Sequence, residues 1–238
     1  MPTAGRNAQI LLNGYDVSGA FNDWDLSGEA KMDETTTFGA AVDSTSYTET
    51  LKGAKLGLKG FWDGTAVTGI SAILEAALGN VVKSIVCLFP FGSAVGNEMI
   101  AFQGDEKTKK LPNKVTGVLS IQTDFESSTG PEYGVSLHVL QQETVGANGT
   151  TVDNGAASTN GGSAFLEATA VGTTMTVNVR HSTDNFGADD TLLGSFSAQT
   201  VIGAQRIAFA AGTTVKRYVR ITWTQTGNTT FAVGLHRN

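Results

Sequence analysis

Residues 216–225 read KRYVRITWTQ, and this stretch decides the fold. Val219, Ile221 and Trp223 alternate with polar residues, which is the period of two expected of a β-strand with one buried face. An amphipathic helix would instead space its apolar residues by three and four. The stretch therefore predicts a half-buried strand.

The same alternation recurs along the chain, with turn residues between the runs. Examples are DWDLS at 23–27, KLGLKG at 55–60 and TMTVNVR at 174–180. Short alternating strands separated by Gly- and Asp-rich turns are typical of β-sandwiches. We therefore expect an all-β protein of two β-sandwich domains, with its first turn at Asn13-Gly14 or at Ser18-Gly19.

One segment has a different period. In GISAILEAALGN, residues 69–80, the apolar residues recur at intervals of three and four. This spacing predicts a short amphipathic helix that flanks the first sandwich and ends at Gly79-Asn80. Its expected apolar face consists of Ile70, Ile73, Leu74, Ala77 and Leu78.

Two further segments have no apolar periodicity. Residues 33–52 read DETTTFGAAVDSTSYTETLK, which predicts a long polar hairpin or loop that becomes ordered against a neighbour. Residues 146–163 consist of Gly, Ala, Ser, Thr, Asn and Asp apart from Val152, a composition that predicts a linker. The expected domains are therefore 1–145 and 164–238.

Charge is divided unevenly along the chain. Residues 1–149 contain 10 Lys and Arg against 17 Asp and Glu, a net charge of −7, whereas residues 150–238 contain 6 against 5, a net charge of +1. Tight binding to nucleic acid needs a basic surface, which this balance disfavours. Because the sequence has no run of about 18 apolar residues, we expect a soluble protein without a signal peptide and without membrane contact.

Residues that commonly perform catalysis or bind metals are scattered. His138, His181 and His236 have no second His or Cys at the spacing of three to five residues that metal sites favour. The sequence contains no nucleophile elbow, P-loop or dinucleotide-binding fingerprint. Cys87 lies in the apolar run VVKSIVCLFPF, which favours a core residue over a reactive thiol. We expect no enzyme activity, catalytic residue, metal or cofactor.

Two charged clusters have simple explanations. The acidic residues between 23 and 34 would suit a carboxylate pair for hydrolysis or a Ca²⁺ site, but a solvated strand face is the preferred interpretation. DEKTKK at 105–110 carries three lysines that would suit a phosphate. A solvated loop is the preferred interpretation there.

The order of the N-terminal motifs resembles that of a known family. LLNGYDVSG at 11–19, DETTTFG at 33–39 and TETLKGAKLGLKGFWDG at 48–64, followed by a short helix and further strands, resemble the major tail tube proteins of long-tailed bacteriophages. The resemblance in order and spacing covers about residues 8–145. The family's fold is a sandwich of two antiparallel sheets with a flanking helix, and its subunits form stacked, often hexameric, rings.

This resemblance implies a function and a set of contacts. The chain would be a virion protein, assembled in the bacterial host cytoplasm into tail tube rings through which DNA is ejected. Its implied partners are other copies of itself, the tape-measure and tail-terminator proteins, and DNA in transit, which an acidic lumen would repel. A long loop of the family commonly reaches the neighbouring ring. The residues of this sequence assigned to that contact are Thr35, Thr36, Thr37, Phe38, Gly39, Tyr47 and Leu51.

The C-terminal part lies outside the minimal tube fold. HSTDNFG at 181–187 and the strand at 216–225 resemble galactose-binding-like jelly rolls and the jelly-roll or Ig-like domains added to phage tail and capsid proteins. One alternative is therefore a carbohydrate-binding adhesion module with Arg217, Arg220 and Trp223 as glycan contacts, although plain strand packing explains these residues as well. A head-decoration or neck protein is a further alternative, because these proteins use similar sandwiches.

Overall fold

The structure is a computed structural model that describes residues 7–34, 47–65, 69–112, 117, 119–127 and 129–238. For residues 29–34 and 47–52 it describes the backbone alone. The strands are β1 (Gln9–Leu12), β2 (Tyr15–Asp16), β3 (Phe21–Glu34), β4 (Tyr47–Phe61), β5 (Ser84–Phe89), β6 (Glu98–Lys110), β7 (Ser120–Ser127), β8 (Glu132–Glu143), β9 (Ala147–Asn148), β10 (Val152–Asp153), β11 (Gly162–Ala170), β12 (Thr174–Ser182), β13 (Thr191–Ser195), β14 (Gly203–Phe209), β15 (Tyr218–Thr226) and β16 (Thr229–Arg237). One helix, α1 (Ile70–Ala77), accompanies them in the described chain. The all-β prediction is confirmed.

Contacts group the chain into two compact units, neither of which is continuous in sequence. Unit 1 comprises 1–19, 85–101 and 132–238, and unit 2 comprises 20–84 and 102–131. This grouping differs from the expected division into 1–145 and 164–238. The physical reason is long-range pairing, since β8 pairs with β16 and thereby joins the middle of the chain to its C-terminal part.

Unit 1 is a sandwich of two antiparallel sheets. The large sheet has the order β14-β11-β16-β8-β6-β5-β1-β2, and the small sheet has the order β10-β15-β12-β13, with β9 also paired to β15. Alternate residues of both sheets meet in an apolar core, because a strand turns every second side chain to the same face. This core includes Leu137, Ala164, Leu166, Val177, Val179, Ile221, Trp223, Phe231 and Val233.

Strand β11 of the large sheet is buried on both faces. On β11, Leu166 belongs to the sandwich core, whereas Phe165 belongs to a second apolar cluster that also contains Cys87 and Met99. The β1–β2 turn reaches back to β11 and β14, because a Cβ on Gly14 would lie 2.3 Å from the backbone nitrogen of Gly203. The sheet is therefore curled.

The β1–β2 turn itself is the predicted one. Asn13 and Gly14 have φ values of 51° and 84°, the left-handed conformation at both central residues that defines a type I′ hairpin. Leu12 pairs with Tyr15, so the loop has two residues. The turn at Asn13-Gly14 is confirmed.

Unit 2 contains α1 and a second antiparallel sheet. In this hairpin sheet β3 pairs with β4, β4 with β7, and β7 with the second part of β6. On β4, Leu56 and Leu58 are buried while Lys55 and Lys59 are exposed, as the alternation predicts. The hairpin sheet thus has one apolar and one solvated face.

The predicted helix is confirmed. Ile70, Ile73, Leu74 and Ala77 are its buried residues. Leu78, expected on the same face, instead follows the helix as its C-cap and is 39% exposed.

The segment predicted as a linker is an irregular strand edge. Within 146–163, β9 pairs Ala147 with Trp223 and β10 pairs Val152 with Val219. Further along, Ser158 forms a bridge to Val215. The small polar side chains of this segment are mostly exposed at the edge of the small sheet, so its order leaves no apolar pattern.

Candidate functional site

Four exposed apolar side chains lie at one end of the hairpin sheet. Phe61 ends β4 and Trp62 directly follows it, and they are 49% and 40% exposed; Leu111 and Leu119 are 54% and 40% exposed. The Trp62 N–H donates to the Leu119 carbonyl at 3.0 Å, and Leu111 directly follows β6. We name these four residues the apolar end of unit 2. Large apolar groups exposed together commonly mark an interaction surface.

Local hydrogen bonds hold this end in place. The Asp63 carboxylate accepts the Thr65 N–H at 2.9 Å and the Thr65 hydroxyl at 2.7 Å, which is an Asx turn. These bonds lower the pKa of Asp63. Gly64 lies under the Trp62 ring, since a Cβ there would lie 2.4 Å from the ring edge. The turn therefore presents Trp62 in a defined position.

An edge strand borders the same sheet. Among the described strands β3 pairs with β4 alone, so its other backbone edge is unpaired over a strand of 14 residues. Its first half alternates as predicted, with Asp23 and Asp25 exposed and Trp24 and Leu26 half-buried. Lys59 lies 3.6 Å from the Asp23 carboxylate. Long unpaired edges are the usual place where a sheet adds a further strand.

Of the contact residues expected from the tail tube resemblance, the structure describes the backbone of Tyr47 and Leu51 alone. Thr35, Thr36, Thr37, Phe38 and Gly39 fall outside the described residues. Tyr47 and Leu51 lie in β4 opposite Glu34 and Lys31, and their side chains are also outside the described part. Tyr47 begins β4 and Phe61 ends it, about 45 Å apart along an extended strand. The backbone of Tyr47 thus lies at the opposite end of β4 from the apolar end.

The three candidate glycan residues do not share a surface. Trp223 points into the sandwich core, 6% exposed, with its indole N–H bonded to the Val145 carbonyl at 3.0 Å. Arg220 lies on the opposite face of β15, paired with Asp190 at 2.9 Å and stacked over Phe186 at 4.0 Å.

Arg217 also has its own partner. It forms a two-pronged ion pair with Asp153, both nitrogen–oxygen distances being 2.7 Å. This pair lowers the pKa of Asp153 to about 2. The three residues are close in sequence, but the period of two along β15 places Trp223 and Arg220 on opposite faces, and Arg217 precedes the strand.

A buried carboxyl group that the sequence did not single out lies in unit 1. Glu167 on β11 is 1% exposed and accepts the Gly14 N–H at 2.5 Å. Burial raises the pKa of Glu167 well above its usual range, against the opposing hydrogen bonds from Gly14 and from the Cys87 thiol. Burial beside this carboxyl also raises the pKa of Cys87. The one signal in the sequence is a Glu inside the apolar run FLEATA.

A second carboxylate on the large sheet is fully paired. Glu132 accepts a hydrogen bond from the Ser163 hydroxyl and forms an ion pair with Arg206 at 2.9 Å. Because each oxygen of Glu132 has a partner, we interpret its ion pair with Arg206 as structural.

The three histidines are distant in sequence, and each has different contacts in the structure. His138 is buried in the sandwich core, stacked on Phe231 with ring centres 4.3 Å apart, and burial lowers its pKa. His181 is also buried and accepts the Lys216 N–H at 3.3 Å. His236 bonds the Tyr133 carbonyl at 2.6 Å. Among the described residues, no three His, Cys, Asp or Glu side chains come together as metal ligands.

The lysine cluster at 105–110 is not a loop. It forms the end of β6, where Lys109 donates to the Ser71 carbonyl at 2.8 Å and to Glu75 at 2.7 Å. These bonds tie β6 to α1 within unit 2. In the described part of the chain, no helix has the length and apolar composition to cross a membrane.

Comparison with known proteins gives weak likenesses. No family model and no curated protein matches the sequence. Among solved structures, the Dit protein of phage SPP1, described as a hub adsorption apparatus in phages that infect Gram-positive hosts, is 12% identical with a TM-score of 0.37, over 96% of this chain and 98% of that chain. A chain of a native gene transfer agent virion is 9% identical with a TM-score of 0.42, over 56% of this chain and 98% of that chain.

A chain of the phage p2 baseplate is 10% identical with a TM-score of 0.32, over 97% of this chain and 98% of that chain. These three neighbours come from phage or gene transfer agent particles. Since a TM-score below 0.5 does not establish a shared fold, the likenesses assign neither a family nor a function to this chain.

Proposed function

We propose that this chain is a non-enzymatic structural subunit of a phage tail, and that copies of it associate into rings that stack as a tail tube. The observation that carries the proposal is the apolar end of unit 2, beside the edge of β3 that pairs with no other described strand. The motif order that resembles tail tube proteins supports the same assignment. Tape-measure and tail-terminator proteins are proposed partners on that resemblance.

Physical chemistry favours covering this surface in an assembly. At about 25 cal/mol per Å² of apolar area, covering the exposed part of Trp62 alone contributes on the order of 2 kcal/mol. Backbone pairing along β3 would add hydrogen bonds without requiring a particular side chain. A subunit that repeats such a contact head to tail forms a ring when the rotation between neighbours closes.

The charge distribution supports passage of DNA. Residues 1–149 carry a net charge of −7, and an acidic wall repels the phosphates of a duplex that must slide past it. The proposed role of DNA is therefore that of cargo in transit.

Assembly is tested with paired surface variants. In Phe61→Ser/Trp62→Ser, the apolar end loses its two aromatic side chains, and we expect the rings or tubes seen by negative-stain electron microscopy of the full chain to disappear. Phe91→Ser, which removes an aromatic side chain 47% exposed in unit 1, is the matched control and should assemble normally.

Two results would contradict the proposal. One is a wild-type chain that stays monomeric in sedimentation at every concentration and is absent from virion tails. The other is a double variant that assembles as well as the wild type. Labelling of intact virions separates the tail tube from a head-decoration or neck position, because those proteins would lie outside the tail shaft.

A further inference from the structure

A pocket in unit 1 contains an arginine that forms no ion pair with any described residue. The pocket has a volume of about 370 Å³ and lies where the start of β8, the end of β16 and the irregular edge at 154–158 meet. Its lining includes Tyr133, Asn154, Ser158 and Arg237. The volume falls at the lower end of the range for small-molecule sites and suits a ligand the size of one sugar.

Arg237 differs from the other arginines of the described chain. Arg180, Arg206, Arg217 and Arg220 each form an ion pair with a carboxylate. Arg237 forms no ion pair with any described residue. Its one side-chain hydrogen bond within the described chain runs from Nη2 to the Ala156 carbonyl at 2.8 Å.

The environment of Arg237 makes this isolation costly. Its Nε is buried and has no hydrogen-bond partner among the described residues. Burial lowers the pKa of Arg237, with no neighbouring charge opposing the shift. A partly buried cation without a partner is unfavourable, and an anion that entered the pocket would remove that cost.

A second polar group at the same pocket is also unused. The Ser158 hydroxyl oxygen is buried without a partner in the described chain. Its backbone is fixed, because its N–H donates to the Val215 carbonyl at 2.9 Å and its carbonyl accepts the Val215 N–H at 2.8 Å. Ser158 therefore contributes to the pocket lining a hydroxyl that has a fixed backbone and a proton free to be donated to an oxyanion.

The lining of the pocket also includes an aromatic residue, Tyr133. Tyr133 is 55% exposed, and its carbonyl is held by His236 at 2.6 Å. Leu235, also in the lining, is fully packed in the sandwich core and gives the pocket a firm apolar base. A pocket lined by an aromatic ring, a cation and a hydroxyl suits a ligand that has both a flat or ring-shaped part and a charged group.

We propose that this pocket binds a small ligand that carries one oxyanion, a carboxylate or a phosphate, with Arg237 and Ser158 as donors and Tyr133 as the contact for its uncharged part. Arginine is suited to this role because its planar fork matches both oxyanions. The site is independent of the assembly surface, since all of its residues belong to unit 1.

The test is a titration of the full-length, ¹⁵N-labelled chain followed by NMR. The probes are glucuronate and glycerol 3-phosphate, each paired with its neutral counterpart, glucose or glycerol. We expect saturable shifts of the amide signals of Gly134 and Ser158 with at least one anionic probe and at least tenfold weaker binding of the neutral ones. The anionic probe that binds more tightly distinguishes a carboxylate ligand from a phosphate ligand.

Variants connect the binding to the named residues. Arg237→Gln should abolish the shifts, and Ser158→Ala should weaken binding severalfold. Arg237→Lys keeps the charge and should retain weaker binding, which separates loss of the donor from loss of the fold. Arg217→Gln removes an arginine of the same unit that already has its own carboxylate, and should bind as the wild type does.

The proposal is overturned if neither anionic probe binds better than its neutral counterpart. It is also overturned if Arg237→Gln binds as well as the wild type, or if Arg217→Gln loses binding to the same extent. Ring formation is unaffected by either result, so this site and the proposed tail role stand or fall separately.

Discussion

At the scale of single residues, Glu167 shows the sharpest conflict between packing and charge. Its carboxyl lies on β11 where the large sheet closes on the β1–β2 turn, and its Oε2 accepts the Gly14 N–H. Because an ionised carboxylate is poorly solvated there, the folded state favours the neutral form and the pKa is raised.

We expect Glu167→Gln to stabilise the protein more and more as the pH rises. A carboxyl whose pKa is raised on folding contributes fully below its ordinary value of 4.5, and this contribution is lost as the pH rises towards the folded pKa. The loss is about 1.4 kcal/mol per pH unit while the folded form alone keeps the proton. Glutamine still accepts the Gly14 N–H and has no proton to lose. Urea unfolding between about pH 5 and about pH 8 measures the difference.

The control is Glu98→Gln, which removes an exposed carboxylate of β6 in the same unit and should leave the pH dependence as it is. If the free energies of unfolding of wild type and Glu167→Gln changed in parallel with pH, Glu167 would be ionised in the folded protein and the argument would be wrong.

At the scale of elements, the sequence predicted the strands and the helix that have one buried face and one exposed face. β4, β15 and α1 bury one face each, so the period of two or of three to four is present in their residues. The segment at 146–163 has the composition of a linker, but parts of it pair with β15. This pairing produces no apolar periodicity in a segment of small exposed residues.

The candidate sites were less predictable for a related reason. β11 is buried on both faces, which removes the alternation that would have marked Glu167 as a buried residue. The surroundings of Arg237 include the segment at 154–158, which is about eighty residues away in sequence and supplies the Ala156 carbonyl to its side chain. Closeness in sequence predicted a cluster of Arg217, Arg220 and Trp223, but β15 places Arg220 and Trp223 on opposite faces, and Arg217 precedes the strand.

The β1–β2 hairpin supplies a prediction at this scale. Gly14→Ala should destabilise the protein by about 3 kcal/mol or more, because the new methyl group meets both a left-handed φ of 84° and the backbone of Gly203 at 2.3 Å. Backbone atoms cannot move aside as a flexible side chain does. Thermal and urea unfolding of the variant measures the loss.

Gly212→Ala separates the two causes. Gly212 has a φ of 90° but no atom within 4 Å of the added methyl group, so it should cost only the conformational strain of about 1 kcal/mol. Equal losses of unfolding free energy in the two variants would show that the close contact between Gly14 and Gly203 adds no cost, and would contradict the prediction.

At the scale of the whole molecule, chain order and packing order differ. Unit 1 takes β1, β2 and β5 from the first hundred residues and combines them with β8 to β16. Phe165 on β11 illustrates the consequence, because its apolar cluster includes Leu11 and Phe89 from distant parts of the chain. The residues after 163 therefore complete a core that begins near residue 9.

This organisation predicts how a C-terminal fragment behaves. Residues 164–238 alone should lack a cooperative unfolding transition, although the sequence suggests an independent domain there. Removing β8 leaves one edge of β16 unpaired and takes Leu137 from the sandwich core, and removing β9 and β10 exposes one edge of β15. Phe165 loses its apolar neighbours at the same time. Near-ultraviolet circular dichroism during a urea titration, with the full chain as reference, measures cooperativity. A sharp transition of the fragment would instead support 164–238 as a folding domain, and would show that the small sheet with β11, β14 and β16 contains enough buried surface by itself.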